Sequence, residues 1–528
     1  MRSDGVISPA DRKLIEAAAS GVVADYRAPD TSSIEGRTIS GDVLREIARR
    51  SNPDWPLHRE GLRIVGARIS GAIDLAGAEI PHPLALVDCE TDHPIVLTGA
   101  RLHSLELSSS RAVSIDAERI CVEHDLVLAR MTSASVRLCG ARIGGDLVCG
   151  SAHFGQSAGD ALDADRDVLN ADRIMVGGNV MMGICFLAEG VVSIRNATIA
   201  GDLSCIGAKL TNRGGHALSI DGTSIGRHLI LGNGFRSVGE VSLRSARIGG
   251  MLYCSHGSCE NIGGIALAGD DAVIGELTVL AHGFKARGEV SLRRARLGRM
   301  LYCAHGSFEN PGGTALAAEE ALIDGDAFIG EWFAAKGAVR FDGAEVCGHL
   351  HCIGGIFENP GGDALAADRI VVRGSIRANS RFLARGAVRI GDAEVDGSVL
   401  FDGATIENEA GIALCAPRAK IGSNVRLGGR FRARGGVCLS GAEIGGDLAC
   451  GGGRIENGGA LALDAESIAV GGNVLLDEGF RADGQVRLTN AKIDGALELD
   501  GGEIRSPGGD AIVTDGATIG AAAAERND

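Results

Sequence analysis

The sequence predicts an all-β protein, a parallel β-solenoid (β-helix), and two observations support this prediction. Phenylalanine recurs every 49 residues at seven positions: Phe186, Phe235, Phe284, Phe333, Phe382, Phe431 and Phe480. Within a repeat, apolar residues come in i, i+2 pairs such as Val437 and Leu439, which is the periodicity of strands and not of helices. A strict period of this length is the signature of a repeat array whose units stack on one another.

Each 49-residue repeat is interpreted as two rungs of about 24–25 residues, because its second half echoes the first. Gly-Gly pairs such as Gly445-Gly446 separate the strands, and an asparagine column marks a turn. That column is Asn212, Asn261, Asn310, Asn359, Asn408 and Asn457. Residues 61–520 then correspond to about 19 rungs, and one unit carries extra residues that we expect to form a loop within Ser157 to Asp172.

The chain is predicted to have three parts: a helical N-terminal cap segment at 1–60, the solenoid at 61–520 and a C-terminal tail at 521–528. Ser8 and Pro9 have the positions of an N-cap and a first helical residue, and that helix is expected to continue to Gly21. A second helical stretch is expected at 42–50, after Ser40. Such a cap would cover the open edges of the first rung, which otherwise invite aggregation.

Composition and net charge argue against several classes of function. The net charge of −16 argues against direct nucleic-acid binding, since such proteins carry basic stripes. The absence of a long apolar run argues against membrane insertion, and Met1 to Ala10 does not resemble a signal peptide, so we expect a cytoplasmic location. The column Cys205, Cys254, Cys303 and Cys352 has a two-rung spacing, which predicts buried free thiols and not disulfides among the fourteen cysteines.

No catalytic, cofactor-binding or metal-binding residues are predicted. The sequence has no nucleotide-binding or hydrolase motif in its required setting. His349 and His351 share one side of a strand with His305 nearby, which is a weak metal signal that chance exposure explains better. An oxidoreductase or a carbohydrate-active β-helix enzyme remains an alternative, the latter because carboxylates such as Asp324, Asp326 and Glu331 lie close in sequence.

The main functional prediction is a non-catalytic interaction or scaffold protein. In one strand of each rung, a single residue is predicted to point outward between two residues that point into the core. This outward residue is apolar or aromatic over several rungs, whereas later rungs carry Arg377, Arg426 and Glu498 at the same position. Contiguous apolar surface of this kind usually marks a protein contact, here with a partner or a second copy. The predicted partner-binding residues, called the outer stripe, are Met251, Tyr253, Leu277, Val279, Met300, Tyr302, Phe328 and His351.

An acidic column offers a second functional hypothesis. Glutamate recurs at the 49-residue period at Glu260, Glu309, Glu358, Glu407 and Glu456. A regular acidic rod could imitate DNA and regulate a nucleic-acid enzyme, while the simpler interpretation is a solvated charged edge that prevents sticking.

Two segments carry a family resemblance. The stretch Gly61 to Leu75, reading GLRIVGARISGAIDL, and the stretch Ala442 to Cys450, reading AEIGGDLAC, resemble bacterial β-solenoid repeat proteins often labelled membrane-associated oxidoreductase. The preceding stretch Arg37 to Ile47 also fits that group. There is a looser similarity to pentapeptide-repeat and bactofilin-type solenoids, which implies scaffolding, filament formation or partner binding.

Overall fold

The computed structural model describes residues 7–27, 33–155, 166–507 and 509–520. The chain is all-β, with parallel sheets that form a β-solenoid of about 19 turns, which confirms the predicted fold class. It divides into two compact units, residues 1–261 and residues 262–528, and each is described by itself. The predicted tail at 521–528 and most of the predicted loop within 157–172 lie outside the described residues.

The N-terminal segment supplies two α-helices, α1 (Pro9–Ser20) and α2 (Gly41–Ala48), and a 3₁₀ turn at Glu35–Arg37. The predicted N-cap Ser8 is confirmed, since the Asp11 amide donates to Ser8 Oγ at 3.0 Å. The second helix begins one residue earlier and ends two residues earlier than predicted, and Ser40 caps it by accepting the Asp42 amide at 3.3 Å. The strands Ala24–Asp25 and Thr38–Ser40 pair in parallel with the first rung. The segment therefore fits a cap, while its boundary at residue 60 stays a prediction.

The first unit has three faces, named in the order in which a rung visits them. The strands of its first face are Ala24–Asp25, Leu62–Val65, Leu84–Val87, Leu105–Glu106, Leu126–Val127, Leu147–Val148, Val180–Met181, Leu203–Ser204, Leu229–Ile230 and Leu252–Tyr253. Those of the second face are Thr38–Ser40, Arg68–Ser70, Ile73–Asp74, Glu90–Thr91, Ile95–Val96, Arg111–Ala112, Ile115–Asp116, Thr132–Ser133, Val136–Arg137, His153–Phe154, Asp167–Asn170, Leu187–Glu189, Val191–Ser193, Lys209–Ser219, Arg236–Ser242 and Ser258–Ala268. Those of the third face are Glu79–Ile80, Arg101–Leu102, Cys121–Val122, Arg142–Ile143, Met175–Val176, Thr198–Ile199, Ser224–Ile225 and Arg247–Ile248.

The early rungs of this unit are shorter than predicted. Leu126 and Leu147 are register partners, and the Asp146 amide just before Leu147 donates to Asp125 Oδ1, which lies 21 residues earlier and one rung away. Each of these rungs places two short strands on the second face and one on each other face, so the chain turns at four corners. The predicted rung length rested on the 49-residue period, which begins only after these rungs.

The second unit also has three faces, named in the same way. Its first-face strands are Leu277–Val279, Met300–Tyr302, Asp326–Phe328, Leu350–His351, Ile376–Arg377, Val399–Leu400, Val425–Arg426, Leu448–Ala449, Val474–Leu475 and Leu497–Glu498. Its second-face strands are Lys285–Ser291, Ser307–Ala317, Ala334–Arg340, Ile356–Ala366, Leu383–Arg389, Thr405–Cys415, Arg432–Cys438, Arg454–Asp464, Arg481–Arg487, Glu503–Arg505 and Ile512–Val513. Its third-face strands are Val273–Ile274, Arg296–Leu297, Leu322–Ile323, Glu345–Val346, Val371–Val372, Glu394–Val395, Lys420–Ile421, Glu443–Ile444, Ala469–Val470, Lys492–Ile493 and Thr518–Ile519.

Rungs in the second unit alternate between two lengths. Hydrogen bonds join Asp326 to the His349 amide, 23 residues on, and His349 to the Ser375 amide, a further 26 residues on. The shorter rung carries a 7-residue second-face strand, Ala334–Arg340, and the longer one carries an 11-residue strand, Ile356–Ala366. The 49-residue repeat is therefore two rungs, as predicted, but they are unequal.

The asparagine column closes the turn that lengthens the longer rungs. Asn310 Nδ2 donates to the Thr314 carbonyl at 2.9 Å, and Asn359 and Asp363 repeat that bond at 2.9 Å. The neighbouring short strand passes under this turn at Gly337, whose φ is 117°. A Cβ there would lie 2.5 Å from the Asn310 carbonyl oxygen, so the position requires glycine.

The core is built from columns of identical residues. All seven phenylalanines of the 49-residue column are at most 1 % exposed. In the second unit they alternate with other phenylalanines, and the rings from Phe284 through Phe308, Phe333 and Phe357 to Phe382 meet edge to face at centroid distances of 4.9 to 5.8 Å. Such pairs add about 0.5–1.5 kcal/mol each beyond their burial.

The four cysteines of the predicted column are fully buried, and all fourteen cysteines are free, as predicted. Burial raises the pKa of the Cys205 thiol to about 12, so this group stays neutral in its apolar surroundings. The column thus acts as core filling.

The adjacent residues Trp332 and Phe333 test the core directly. Phe333 is fully buried, whereas Trp332 is 62 % exposed. We expect Phe333→Ala to lower the free energy of unfolding by about 3–5 kcal/mol and Trp332→Ala to change it by less than about 0.5 kcal/mol. Urea-induced unfolding followed by circular dichroism measures both. Equal losses in the two variants would contradict the packing described for the phenylalanine column.

Candidate functional site

The outer stripe of the second unit forms two parallel columns on the first face. Leu277 pairs with Met300, and Met300 pairs with Asp326. Beside them runs the second column, in which register partners follow in the order Val279, Tyr302, Phe328, His351 and Arg377. The expectation that these outward positions stack in one line is therefore met within this unit, while their partner-binding role stays a prediction.

The rings of the stripe stack on one another. Tyr302 and Phe328 meet edge to face at a centroid distance of 5.7 Å, and Phe328 and His351 lie parallel at 4.2 Å. His282 packs against Tyr302 at 5.5 Å. These contacts leave each stripe ring half-buried, and Val279 is only 9 % exposed, so Val279 offers little surface to a partner.

Two members of the outer stripe belong to the first unit. Tyr253 continues a column of register partners that runs through Val148, Met181, Ser204 and Ile230. Its ring lies next to Gly232, where a Cβ would approach a ring carbon to 2.9 Å. Met251 is half-buried beside this column.

A polar column explains why Leu277 and Met300 are unusual. In most rungs one residue of the first-face strand points into the core. The side chain of the residue just before it accepts a hydrogen bond from the backbone amide of the equivalent residue one rung on. We call these residues the acceptor column. In the second unit its members are Asp326, His349, Ser375, Ser398, Asn424, Asp447 and Asn473, with donor–acceptor distances of 2.7 to 3.3 Å.

The first unit has the same acceptor column. Its members are Asp125, Asp146, Asn179, Asp202 and His228, and the amide that His228 accepts, at 3.0 Å, belongs to Met251. Met251 therefore occupies the column position but offers no acceptor of its own. Sequence reasoning missed this column, although the polar residue after several Gly-Gly pairs, as in Gly445-Gly446-Asp447, was its visible signal.

Leu277 and Met300 occupy acceptor-column positions with side chains that cannot accept a hydrogen bond. The backbone compensates locally, because the strands Leu277–Val279 and Met300–Tyr302 are three residues long where most first-face strands of this unit have two. The fold therefore accommodates apolar residues at these two positions but does not require them. Both side chains are half-buried, and they lie beside the ring of Tyr302.

The electrostatics of this surface keep it uncharged near neutral pH. Burial lowers the pKa of His351, although Asp326 Oδ2 lies 3.8 Å from His351 Nε2 and opposes the shift. Burial also raises the pKa of Tyr302, and the neighbouring Glu331 carboxylate raises it further. Both groups are consequently neutral at pH 7, so an apolar partner would meet no charge on these rings.

The acidic column of the second unit alternates with basic residues from Arg287 to Glu456, and only the last pair, Glu456 and Asp483, has like charges. Its register partners follow in the order Arg287, Glu309, Lys336, Glu358, Arg385, Glu407, Arg434, Glu456 and Asp483. Lys336 Nζ lies 3.3 Å from Glu309, and Arg434 Nη1 lies 3.3 Å from Glu407. Alternating charges neutralise one another along the column, which weakens the basis for DNA imitation.

His349 and His351, which the sequence suggested as a weak metal signal, do not belong to the group of metal-ligating side chains that the described residues bring together. His349 and His351 have ring centroids 5.5 Å apart, but His349 Nδ1 accepts the Ser375 amide at 2.8 Å and is used by the fold. Among the described residues, one group of three metal-ligating side chains comes together: His103, Glu123 and His124 in the first unit. Asp326, one of the carboxylates considered for glycoside chemistry, is likewise engaged in the acceptor column.

Comparison with protein-family models, curated proteins and solved structures finds no match. The resemblance to repeat proteins labelled membrane-associated oxidoreductase stays a prediction. Within the described part of the chain, neither helix has the length and apolar character needed to cross a membrane.

A pair of cysteines on the second face has an unusual environment. Cys415 and Cys438 are register partners on adjacent strands, and Cys438 Sγ lies 3.3 Å from Ser440 Oγ. Hydrogen bonds from Cys415 and then from Ser440 lower the pKa of Cys438 to about 6, while the same pairing raises the pKa of Cys415. A recess of about 450 Å³ lined by Cys438, Asn457 and Asp464 adjoins the pair.

This environment predicts selective alkylation of Cys438. Its lowered pKa means that the reactive thiolate is present above about pH 6, whereas an ordinary thiol is only about 1 % ionised at about pH 6.5. We expect iodoacetamide at that pH to label Cys438 first, as read by peptide mass spectrometry. Cys415→Ala, which removes the hydrogen-bond donor, should shift the midpoint of labelling to higher pH, and the exposed Cys347, whose pKa is raised by burial and by Glu345, is the control. Earlier labelling of Cys347 than of Cys438 would contradict this prediction.

Proposed function

We propose that the protein is a non-catalytic, cytoplasmic interaction scaffold that binds a protein partner through the outer stripe of its second unit. The observation that carries the proposal is the replacement of acceptor-column residues by Leu277 and Met300. From Asp326 to Asn473 that column carries polar residues that bond the next rung, as Asp326 and Asn424 do. Apolar side chains at two successive positions give up those hydrogen bonds, and binding is the function that accounts for them.

The chemistry of the surroundings suits a protein interface. Tyrosine, methionine and tryptophan are enriched at interface centres, and charged residues are typical of the rim. Met300, Tyr302 and Phe328 form the half-buried centre of this surface. Arg377 follows His351 in the same column, and Trp332 is 62 % exposed one residue after Glu331, whose carboxylate interacts with Tyr302.

The variant Met300→Asp tests the proposal and is compatible with the fold. Aspartate is a regular residue of the acceptor column, and the column already tolerates two successive aspartates, Asp125 and Asp146. The change places a charge at the centre of the surface and supplies the missing acceptor. We expect affinity capture from native lysate, followed by mass spectrometry, to lose one specific protein with Met300→Asp relative to the wild type.

The matched control is Leu475→Asp. Leu475 occupies an outward first-face position of the second unit, far along the chain from the stripe, where neighbouring rungs carry Ala449 and Glu498. It should retain the captured protein. Sedimentation velocity of the three proteins separates a foreign partner from a second copy, because loss of self-association in Met300→Asp alone would make the stripe a dimer interface. Identical captures and identical sedimentation for all three proteins would refute the proposal.

The acidic-mimic hypothesis receives less support, because Lys336, Arg385 and Arg434 interleave with its glutamates. The enzyme alternative also receives less support. Its oxidoreductase form rests on the family label, and Asp326, one of the carboxylates considered for the carbohydrate-active form, is engaged in the acceptor column.

A further inference from the structure

A cluster of histidines lies at one corner of the first unit, between its third and first faces. His82, His103 and His124 follow strands on three successive rungs, Glu79–Ile80, Arg101–Leu102 and Cys121–Val122. The corner at His103 is one residue shorter than its neighbours, since only His103 and Ser104 separate Leu102 from Leu105. The shorter corner brings His103 beside the Glu123 and His124 side chains of the next rung.

The side chains of His103, Glu123 and His124 converge. His103 Nδ1 lies 3.0 Å from Glu123 Oε2, and the imidazole rings of His103 and His124 have centroids 4.4 Å apart at an interplanar angle of 73°. One ligand atom from each of the three residues lies within 4.8 Å of the other two. Metal–ligand bonds of about 2.0–2.2 Å place coordinated atoms within about 4.4 Å of one another, so a side-chain adjustment of about 0.4 Å lets a single ion contact all three.

The fold does not require these side chains. The Glu123 amide donates to the Leu102 carbonyl and the His124 amide donates to the His103 carbonyl, both at 2.9 Å, and neither bond involves a side chain. One rung later the equivalent positions are Gly144 and Gly145, whose amides make the same backbone bonds. Two chemically active side chains therefore stand where the next two rungs use Gly-Gly.

We propose that His103, Glu123 and His124 bind a divalent transition-metal ion of the zinc class. Two imidazole nitrogens and one carboxylate oxygen form a ligand set that favours such ions over calcium or magnesium, which prefer oxygen ligands alone. Three protein ligands leave coordination positions open to water or to a small ligand. A recess of about 420 Å³ lined by His103, Glu123 and Cys121 provides access to the ion.

His82 is not counted among the ligands. Its Nε2 contacts the Arg50 guanidinium, which orients the ring and places a positive charge next to it. His82→Asn is therefore expected to leave metal affinity close to that of the wild type, in contrast to changes in the three ligands.

Isothermal titration of the full-length protein with Zn²⁺, after removal of metal by a chelator, tests the site. We expect one ion per chain at the strongest site and at least about a tenfold loss of affinity in His103→Asn, His124→Asn, with a smaller loss in Glu123→Gln. All three side chains are at the surface, so circular dichroism should show the wild-type fold. The matched control is His349→Asn, His351→Asn, which removes another closely spaced histidine pair and should retain the strongest site.

Paramagnetic resonance of the Cu²⁺-loaded protein gives an independent signature. The wild type should show two imidazole nitrogens bound to the ion, and His103→Asn should show one. The proposal is overturned if wild-type protein binds no Zn²⁺, if the His103→Asn, His124→Asn variant binds as tightly as the wild type, or if the control loses the strongest site instead.

Discussion

In-register backbone hydrogen bonding between successive rungs is the constraint on which the rest of the structure depends. Each residue lies on its counterpart one rung away, at about 4.8 Å, so side-chain chemistry becomes a property of columns. Phe333 meets Phe308 and Phe357 in the core. On the outside, Glu358 meets Lys336 and Arg385, which avoids placing like charges on adjacent strands.

The acceptor column shows how backbone amides at the corners find hydrogen-bond partners under the same in-register constraint. A side chain such as Asn424 accepts the amide of Asp447 one rung on, and Asp447 does the same for Asn473. These bonds satisfy backbone donors where the chain turns between faces. Apolar residues at Leu277 and Met300 forgo this arrangement, and the three-residue strands there are the local adjustment. Departures from a column therefore mark positions at which the fold does not dictate the residue type.

Columns that repeat one residue type were predictable from the sequence. Columns whose members differ in type and share only the ability to accept a hydrogen bond were not. The phenylalanine period revealed the two-rung repeat, but a period shows only the summed length of a longer and a shorter rung. Asn424, Ser398 and His349 share only the ability to accept a hydrogen bond, so their column emerges once the register is known. The His103 cluster lies in rungs outside that period, and it depends on a corner shortened by one residue.

The stripe was predictable as a set of outward positions, but its composition alone could not separate surface from partial core. Val279 belongs to the stripe and is nevertheless buried by its neighbours. The apolar character of Met300 alone predicts it as a member of the stripe. The stronger reason is that Met300 replaces a hydrogen-bond acceptor, and this is visible only from the hydrogen bonds that Asp326 and the later members of the column make.

The central claim is that Leu277 and Met300 serve binding and not folding, and thermal unfolding of Leu277→Asn, Met300→Asn tests it most directly. Asparagine is a regular member of the acceptor column, as Asn424 and Asn473 show. We expect the melting temperature of this variant to equal or exceed that of the wild type. A fall as large as that caused by Phe333→Ala would contradict the claim, because it would assign both side chains to the core.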